Sequence, residues 1–229
     1  MTTTMHDNDQ RLLRLLQLVS PSLPTGAFAY SQGLEWTVEA GWIDGGPGLR
    51  AWLADLLDGS LAMVDIPLLV RMTAACRSGD DAALGKWADW LTACRESDEL
   101  RQEEQNRGRA MAMLLKPLRV PLARRWQQTL CRTQLAGFAL AASAWSISDA
   151  DAARGYAWAW LENQVIAGIK IIPLGQSEGQ GILFELAEAV MAAVKKGVSL
   201  DDGQIGSSCP ALAVASSRHE TQYTRLYRS

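Results

Sequence analysis

Side chains that could do chemistry are few and poorly grouped. The only histidines, His6 and His219, stand near opposite ends of the 229-residue chain, which leaves little from which to build an imidazole acid/base pair or a buried imidazole metal site. No H-E-x-x-H and no glycine loop running into Lys-Ser/Thr is present, so the usual metalloprotease and nucleotide-cradling templates fail. Glu103-Glu104 and Asp201-Asp202 are paired carboxylates in polar surroundings, and adjacency alone does not split their acidities into acid and base. Cys76, Cys94, Cys131 and Cys209 are far apart, with no C-x-x-C pair. They read as free thiols packed as small apolar groups, without a zinc ribbon or a disulfide framework. The expectation is a binding protein with no catalytic residue, no metal site and no cofactor.

Two stretches ask for a functional reading. In "IAGIKIIPLGQSEGQ", residues 166–180, Lys170 sits in an apolar run near a helix end. Its ammonium either meets last-turn carbonyls and the helix dipole or is held out to recognise a partner's carboxylate. The ending "SRHETQYTRLYRS" interleaves Tyr223 and Tyr227 with Arg218, Arg225 and Arg228. Tyr and Arg dominate interface hot spots, and the segment is expected to be mobile alone and to order on a partner.

The elements that position these residues read as helices throughout. Leu12, Leu15, Leu16 and Val19 form one helical face, stopped by Ser20-Pro21. Tyr30, Leu34 and Val38 repeat every fourth residue up to Gly41, and Leu49, Trp52, Leu53 and Leu56 follow a helix start at Pro47. Helices are expected over 61–77, with Pro67 as a kink or an early turn, over 81–95, and over 97–116 with Ser97 as N-cap. The charges of that last helix read as a solvated face, with Glu103 and Arg107 paired four apart. An alanine-rich, central helix carries Leu135, Phe138, Ala139 and Ala142, and two more cover about 149–172 and 179–195. No apolar/polar alternation marks a strand. The class is all-α, a single domain over 1–229, with 1–8 disordered and 204–229 a partner-binding segment. Between the first two helices, "LVSPSLPTGAFAYSQGLEW" is far more shaped than a simple turn requires.

Formal net charge is −3, which gives no global field for nucleic acid or anionic lipid. The uncharged, alanine-rich run Thr133–Ser148 is 16 residues, short of the ~20 of a membrane span. The N-terminal leucine run is broken by Arg14 and Gln17 and makes no secretory signal. A soluble, cytoplasmic protein is expected.

The segment "SPSLPTGAFAYSQGLEWTVEAGWI", then "DIPL" at 65–68, "ACRESDELRQEEQNRG" at 93–108, "AGIKIIPLGQSEGQ" at 167–180 and "HETQYTRLYRS" at the end resemble the urease accessory protein F (UreF) family, in the same order over nearly the whole chain. The ending has Leu-Tyr-Arg-Ser where the family has Leu-Phe-Arg-Ser, a conservative departure. The resemblance implies an all-α, non-catalytic chaperone that dimerises and works in nickel insertion into apo-urease. It implies a complex bridging a UreD/UreH-type accessory protein and the GTPase UreG, coupling GTP turnover to metal delivery. It implies that Tyr30, Ser31, Glu35, Asp65 and Lys170 form the GTPase-facing surface, with Pro24 and Gly26 shaping its entry. His219, Glu220, Tyr223, Arg225, Tyr227 and Arg228 would meet the UreD/UreH-type partner. Cys209 and His219 are conceivable weak nickel ligands, but ten residues of spacing preorganises them poorly.

Overall fold

A computed structural model describes residues 2–207 and 209–229, and the side chains of residues 8–207 and 209–229. It is helical, with no strand among the described residues. The order is α1 (Thr2–Val19), α2 (Leu34–Glu39), α3 (Gly46–Leu56), a π-helical stretch (Leu57–Asp65), α4 (Ile66–Ser78), α5 (Asp81–Ala93), α6 (Asp98–Leu115), α7 (Gln127–Leu130), α8 (Gln134–Ala144), α9 (Asp149–Ile171), α10 (Gln176–Ser199) and α11 (Pro210–His219), with 3-10 turns at Ala27–Ala29 and Asp202–Gln204. No helix of the described residues is long and apolar enough to cross a membrane.

Helix starts follow the expected chemistry. Asp80, Ser97, Thr133 and Ser148 each accept a hydrogen bond from the backbone N–H three residues on. Pro67 neither kinks nor breaks a regular helix. It falls in the first turn of α4, directly after the wider π turns, where no partner for its missing N–H is needed. Along α8, nine consecutive residues from Gln134 to Ala142 are buried, so it is the central helix. Alanines and Gly137 let α4 and α6 close on it, and a Cβ on Gly137 would stand 2.5 Å from Met111 Cγ.

Two apolar clusters share α9 as a common wall. Ala152 and Tyr156 face the first, built from α4, α5, α6 and α8, while Ala153, Ala157, Leu161 and Val165 face the second, built from α3, the π stretch and α10. The tryptophans serve packing: Trp126 and Trp87 are buried, and Trp36 meets Trp42 edge-on with ring centroids 4.9 Å apart.

Three expectations need correction. Leu12 and Leu16 are more than half exposed; α1 lies on α9 through Leu15 and Val19, which crowd the missing Cβ of Gly155, while Leu18 is buried. The expected disorder over 1–8 falls almost wholly on residues outside those whose side chains are described. The charged run of α6 is not simply solvated, because Glu103 and Glu104 are buried. The segment 204–229 contains α11, started by Pro210, and its end is seated on the body.

Candidate functional site

The elaborate connection between α1 and α2 receives the C-terminus. Gly26 and Gly33 take left-handed conformations (φ 76° and 79°), as does Gln32 (φ 55°). At Gly33 the requirement is double: it caps α2, and a Cβ there would stand 2.7 Å from the backbone nitrogen of Ser216 in α11. Only glycine combines that φ with that approach. The backbone N–H groups of Ser31 and Gln32 consequently both point at the Ser229 carbonyl oxygen, at 2.6 and 3.0 Å, and the Ser31 hydroxyl donates to it at 2.6 Å.

Three carboxylates fasten the rest of the segment. Glu35 of α2 accepts from the N–H of Leu226 (2.6 Å) and of Tyr227 (2.9 Å), and its Oε2 lies 3.3 Å from His219 Nε2. Glu99 of α6 lies 2.7 Å from His219 Nδ1 and accepts from Arg225 at 2.6 Å. Glu103, one turn on, accepts from Arg107 (2.6 Å), from the Gln32 amide (3.0 Å) and from the Ser229 hydroxyl (3.2 Å). His219 is fully buried with a carboxylate oxygen at each ring nitrogen. The Glu220 carboxylate turns back to cap α6, accepting from the N–H groups of Asp98 and Glu99. Tyr227 buries its ring in the second apolar cluster. The outward side of the segment is bare: Tyr223 is fully exposed and Leu226 is 65% exposed.

A second buried network adjoins this clasp. Asp65, where the π stretch meets α4, accepts from both terminal nitrogens of Arg95 (3.1 and 2.7 Å) and from the Tyr156 hydroxyl (3.0 Å). Glu104 accepts from Arg95 as well. Burial pulls the Arg95 value down, but Asp65 and Glu104 outweigh it and hold it well above the ordinary guanidinium range. Burial pushes the Glu104 carboxyl up, more than Arg95 lowers it. Burial, then the neighbouring Asp65 and Glu104, also drives Tyr156 well above the phenol range. Glu103 and Glu104 are consecutive, so α6 joins the two networks.

The residues expected to face the GTPase are thus placed mostly inside. Tyr30, Ser31, Glu35 and Asp65 are all buried, and only Lys170, at the last turn of α9, is exposed. Tyr30, Ser31 and Glu35 are brought together with His219, Arg225, Tyr227 and Arg228 into one constellation, the Arg228 N–H donating to the Ala29 carbonyl. Two surfaces expected to be separate are one. Asp65 belongs to the adjoining network and Lys170 to neither. Sequence reading missed Gln32, which bonds Glu103 and receives the Trp160 indole N–H, and Glu99, whose inward aim depends on where α11 ends. Both nitrogens of His219 being engaged, that ring reaches no metal without giving up a carboxylate. Among the described residues no group of three or more His, Cys, Asp or Glu side chains could hold a metal ion.

Fold and site together define an all-helical body that holds its own C-terminal segment against a shaped interhelical connection by buried, charge-assisted hydrogen bonds. The UreF family profile matches residues 44–187. Urease accessory protein UreF of Pseudomonas putida (strain GB-1) is 48% identical over 223 residues, covering 97% of this chain and all of that protein. The proteins of the same name from Alcanivorax borkumensis, 47% identical over 97% of this chain and all of theirs, and Alkalilimnicola ehrlichii, 48% identical over 94% of this chain and 95% of theirs, match similarly. The chain belongs to the UreF family.

Proposed function

We propose that this chain is a urease accessory protein acting in the cytoplasm as a non-catalytic, homodimeric bridge between a UreD/UreH-type accessory protein and the GTPase UreG. It reaches apo-urease through that complex and couples GTP turnover to nickel delivery. The observation that carries the reading is the seated C-terminal segment. Its inner side (His219, Glu220, Arg225, Tyr227) is spent on holding it, while Tyr223, Leu226 and Arg228 stand outward. An exposed aromatic and an exposed arginine on a segment fixed from below are preorganised for a partner, since little ordering entropy remains to be lost on binding. In this reading the UreD/UreH-type protein meets that outward side. Lys170 makes the direct charge contact with the GTPase, and Tyr30, Ser31 and Glu35 act on it by fixing α2 and the segment. Asp65 contributes by holding Arg95 and the α4 start. Nickel is cargo here, and the reading requires no ligand from this chain.

Co-expression with the two partners followed by size-exclusion chromatography tests it. Tyr223→Ala/Leu226→Ala removes only exposed side chains and should abolish co-elution with the UreD/UreH-type protein while the circular dichroism is unchanged. Lys170→Ala should release the GTPase alone. Full co-elution of both variants with both partners would overturn the assignment.

A further inference from the structure

Charge is segregated in this molecule in a way the seated C-terminus does not explain. Between Glu104 and Asp149 there are seven basic residues and no acidic one, so the rest of the chain carries ten more acidic than basic side chains to leave the net −3. Arg107 turns inward to Glu103, and Arg132 pairs with Asp89. The other five, Arg109, Lys116, Arg119, Arg124 and Arg125, form no ion pair among the described residues; Arg109 and Lys116 bond only the neutral amides of Asn106 and Gln127. An unpaired cation is ordinary on a surface. Five gathered here make a largely single-sign field: the carboxylates that line a cleft with Arg125 are already engaged, Asp89 by Arg132 and Asp81 by the Thr129 hydroxyl.

The geometry gathers them. Arg109 and Lys116 share a face of α6, seven residues and ~10 Å apart, with Met113, 67% exposed, between them. The loop 117–126 then buries Val120, Ala123 and Trp126, which leaves Arg119, Arg124 and Arg125 outward. The Lys116 ammonium donates to Gln127 at 2.8 Å, tying the end of the loop to its beginning and joining the two sets. Arg119 and Leu122 hold left-handed conformations (φ 56° and 64°), which cost a non-glycine residue about 1 kcal/mol or more each.

We propose that this basic end of the molecule, independent of the seated C-terminus, docks an acidic segment of a partner protein. Four of the five cations are arginines, able to bind carboxylates two-pronged. An exposed methionine among arginines is the composition of a protein interface. The one aromatic of the loop, Trp126, is buried and offers no platform for bases.

The probes are a labelled twelve-residue peptide of eight Glu, two Leu and two Trp, and a twelve-base-pair DNA duplex, each titrated by fluorescence anisotropy at 150 mM NaCl. The peptide should bind the full chain more tightly than the duplex. Arg119→Glu/Arg124→Glu/Arg125→Glu should weaken it at least tenfold, and Met113→Ser about threefold. Lys195→Glu, an exposed change on α10, should stay within twofold. Arg109→Glu, on the face of a regular helix, should cost about threefold and serves if the triple variant loses its circular dichroism. No peptide binding, equal loss in Lys195→Glu, or tighter binding of the duplex would each overturn the proposal.

Discussion

Replacing Glu35 by alanine should open the C-terminal segment without unfolding the body. The carboxylate accepts two backbone N–H bonds, from Leu226 at 2.6 Å and Tyr227 at 2.9 Å, and faces His219. Hydrogen bonds to a charged acceptor are worth about 1.5–3 kcal/mol. The lower value for the two amides, with nothing for His219 because it keeps Glu99, gives ~3 kcal/mol. Leu226 is 65% exposed, so its amide regains water when released, and about 2 kcal/mol is the better expectation. That is a factor of about 30 in the opening equilibrium, at 1.36 kcal/mol per decade. The assay is native-state hydrogen exchange. The amides of Leu226, Tyr227 and Arg228 should exchange about 30-fold faster, with Ser31 and Gln32 following because their acceptor leaves with Ser229. Amides in α4 and α8 should not change. Glu35→Gln keeps one acceptor oxygen and should fall between. Unchanged protection at 226–228, or equal acceleration in α8, would refute the reasoning.

Gly33→Ala should destabilise the fold by about 2 kcal/mol or more in urea titration, since it adds left-handed strain and a Cβ 2.7 Å from the Ser216 nitrogen. Glu104 gives a pH dependence of defined sign. Its folded value is raised by burial, so the folded state binds the proton more tightly and stability from this group is greatest at low pH. That stability is lost as pH rises from the ordinary glutamate range through the raised value. Thermal melts should therefore show the wild type losing ground to Glu104→Gln across that window, and a gap independent of pH would contradict it. Burial pushes the Cys76 thiol up to about 12; at pH 8 it should resist iodoacetamide in the folded protein and react only in denaturant, as peptide mass spectrometry would read.

Much of the helical frame was legible because it is written locally: the cap at Ser97, the helix start at Pro47 and the small residues of α8. What escaped was decided by partners far along the chain. Leu12 and Leu16 have the helical spacing of core residues, yet α9 offers α1 only a narrow seat at Gly155, and nothing near residue 12 encodes that. Glu35, Glu99 and Glu103 look like ordinary surface charges of short or polar helices. Their donors, Leu226, Tyr227, His219 and Ser229, lie well over 100 residues away, and a carboxylate's inward turn is visible only once its donors are placed. The left-handed glycines of the shaped connection signalled an unusual backbone, but not that it would present two N–H groups to the chain's last carbonyl.

The same network limits how a partner can use the C-terminal segment. Lifting it would leave Glu35 without Leu226 and Tyr227, Glu99 without Arg225, Tyr227 out of its apolar seat, and the α6 N-terminus without Glu220. Burying unpaired carboxylates costs several kcal/mol, so a partner that strips the segment away must supply donors of its own or let water in. One that binds Tyr223 and Leu226 from outside incurs none of that cost. Binding would then stabilise the closed clasp by its own affinity, and a hydrogen-exchange comparison of the free and complexed chain separates the two modes: protection at Leu226 and Tyr227 rises if the segment is bound in place and falls if it is drawn off.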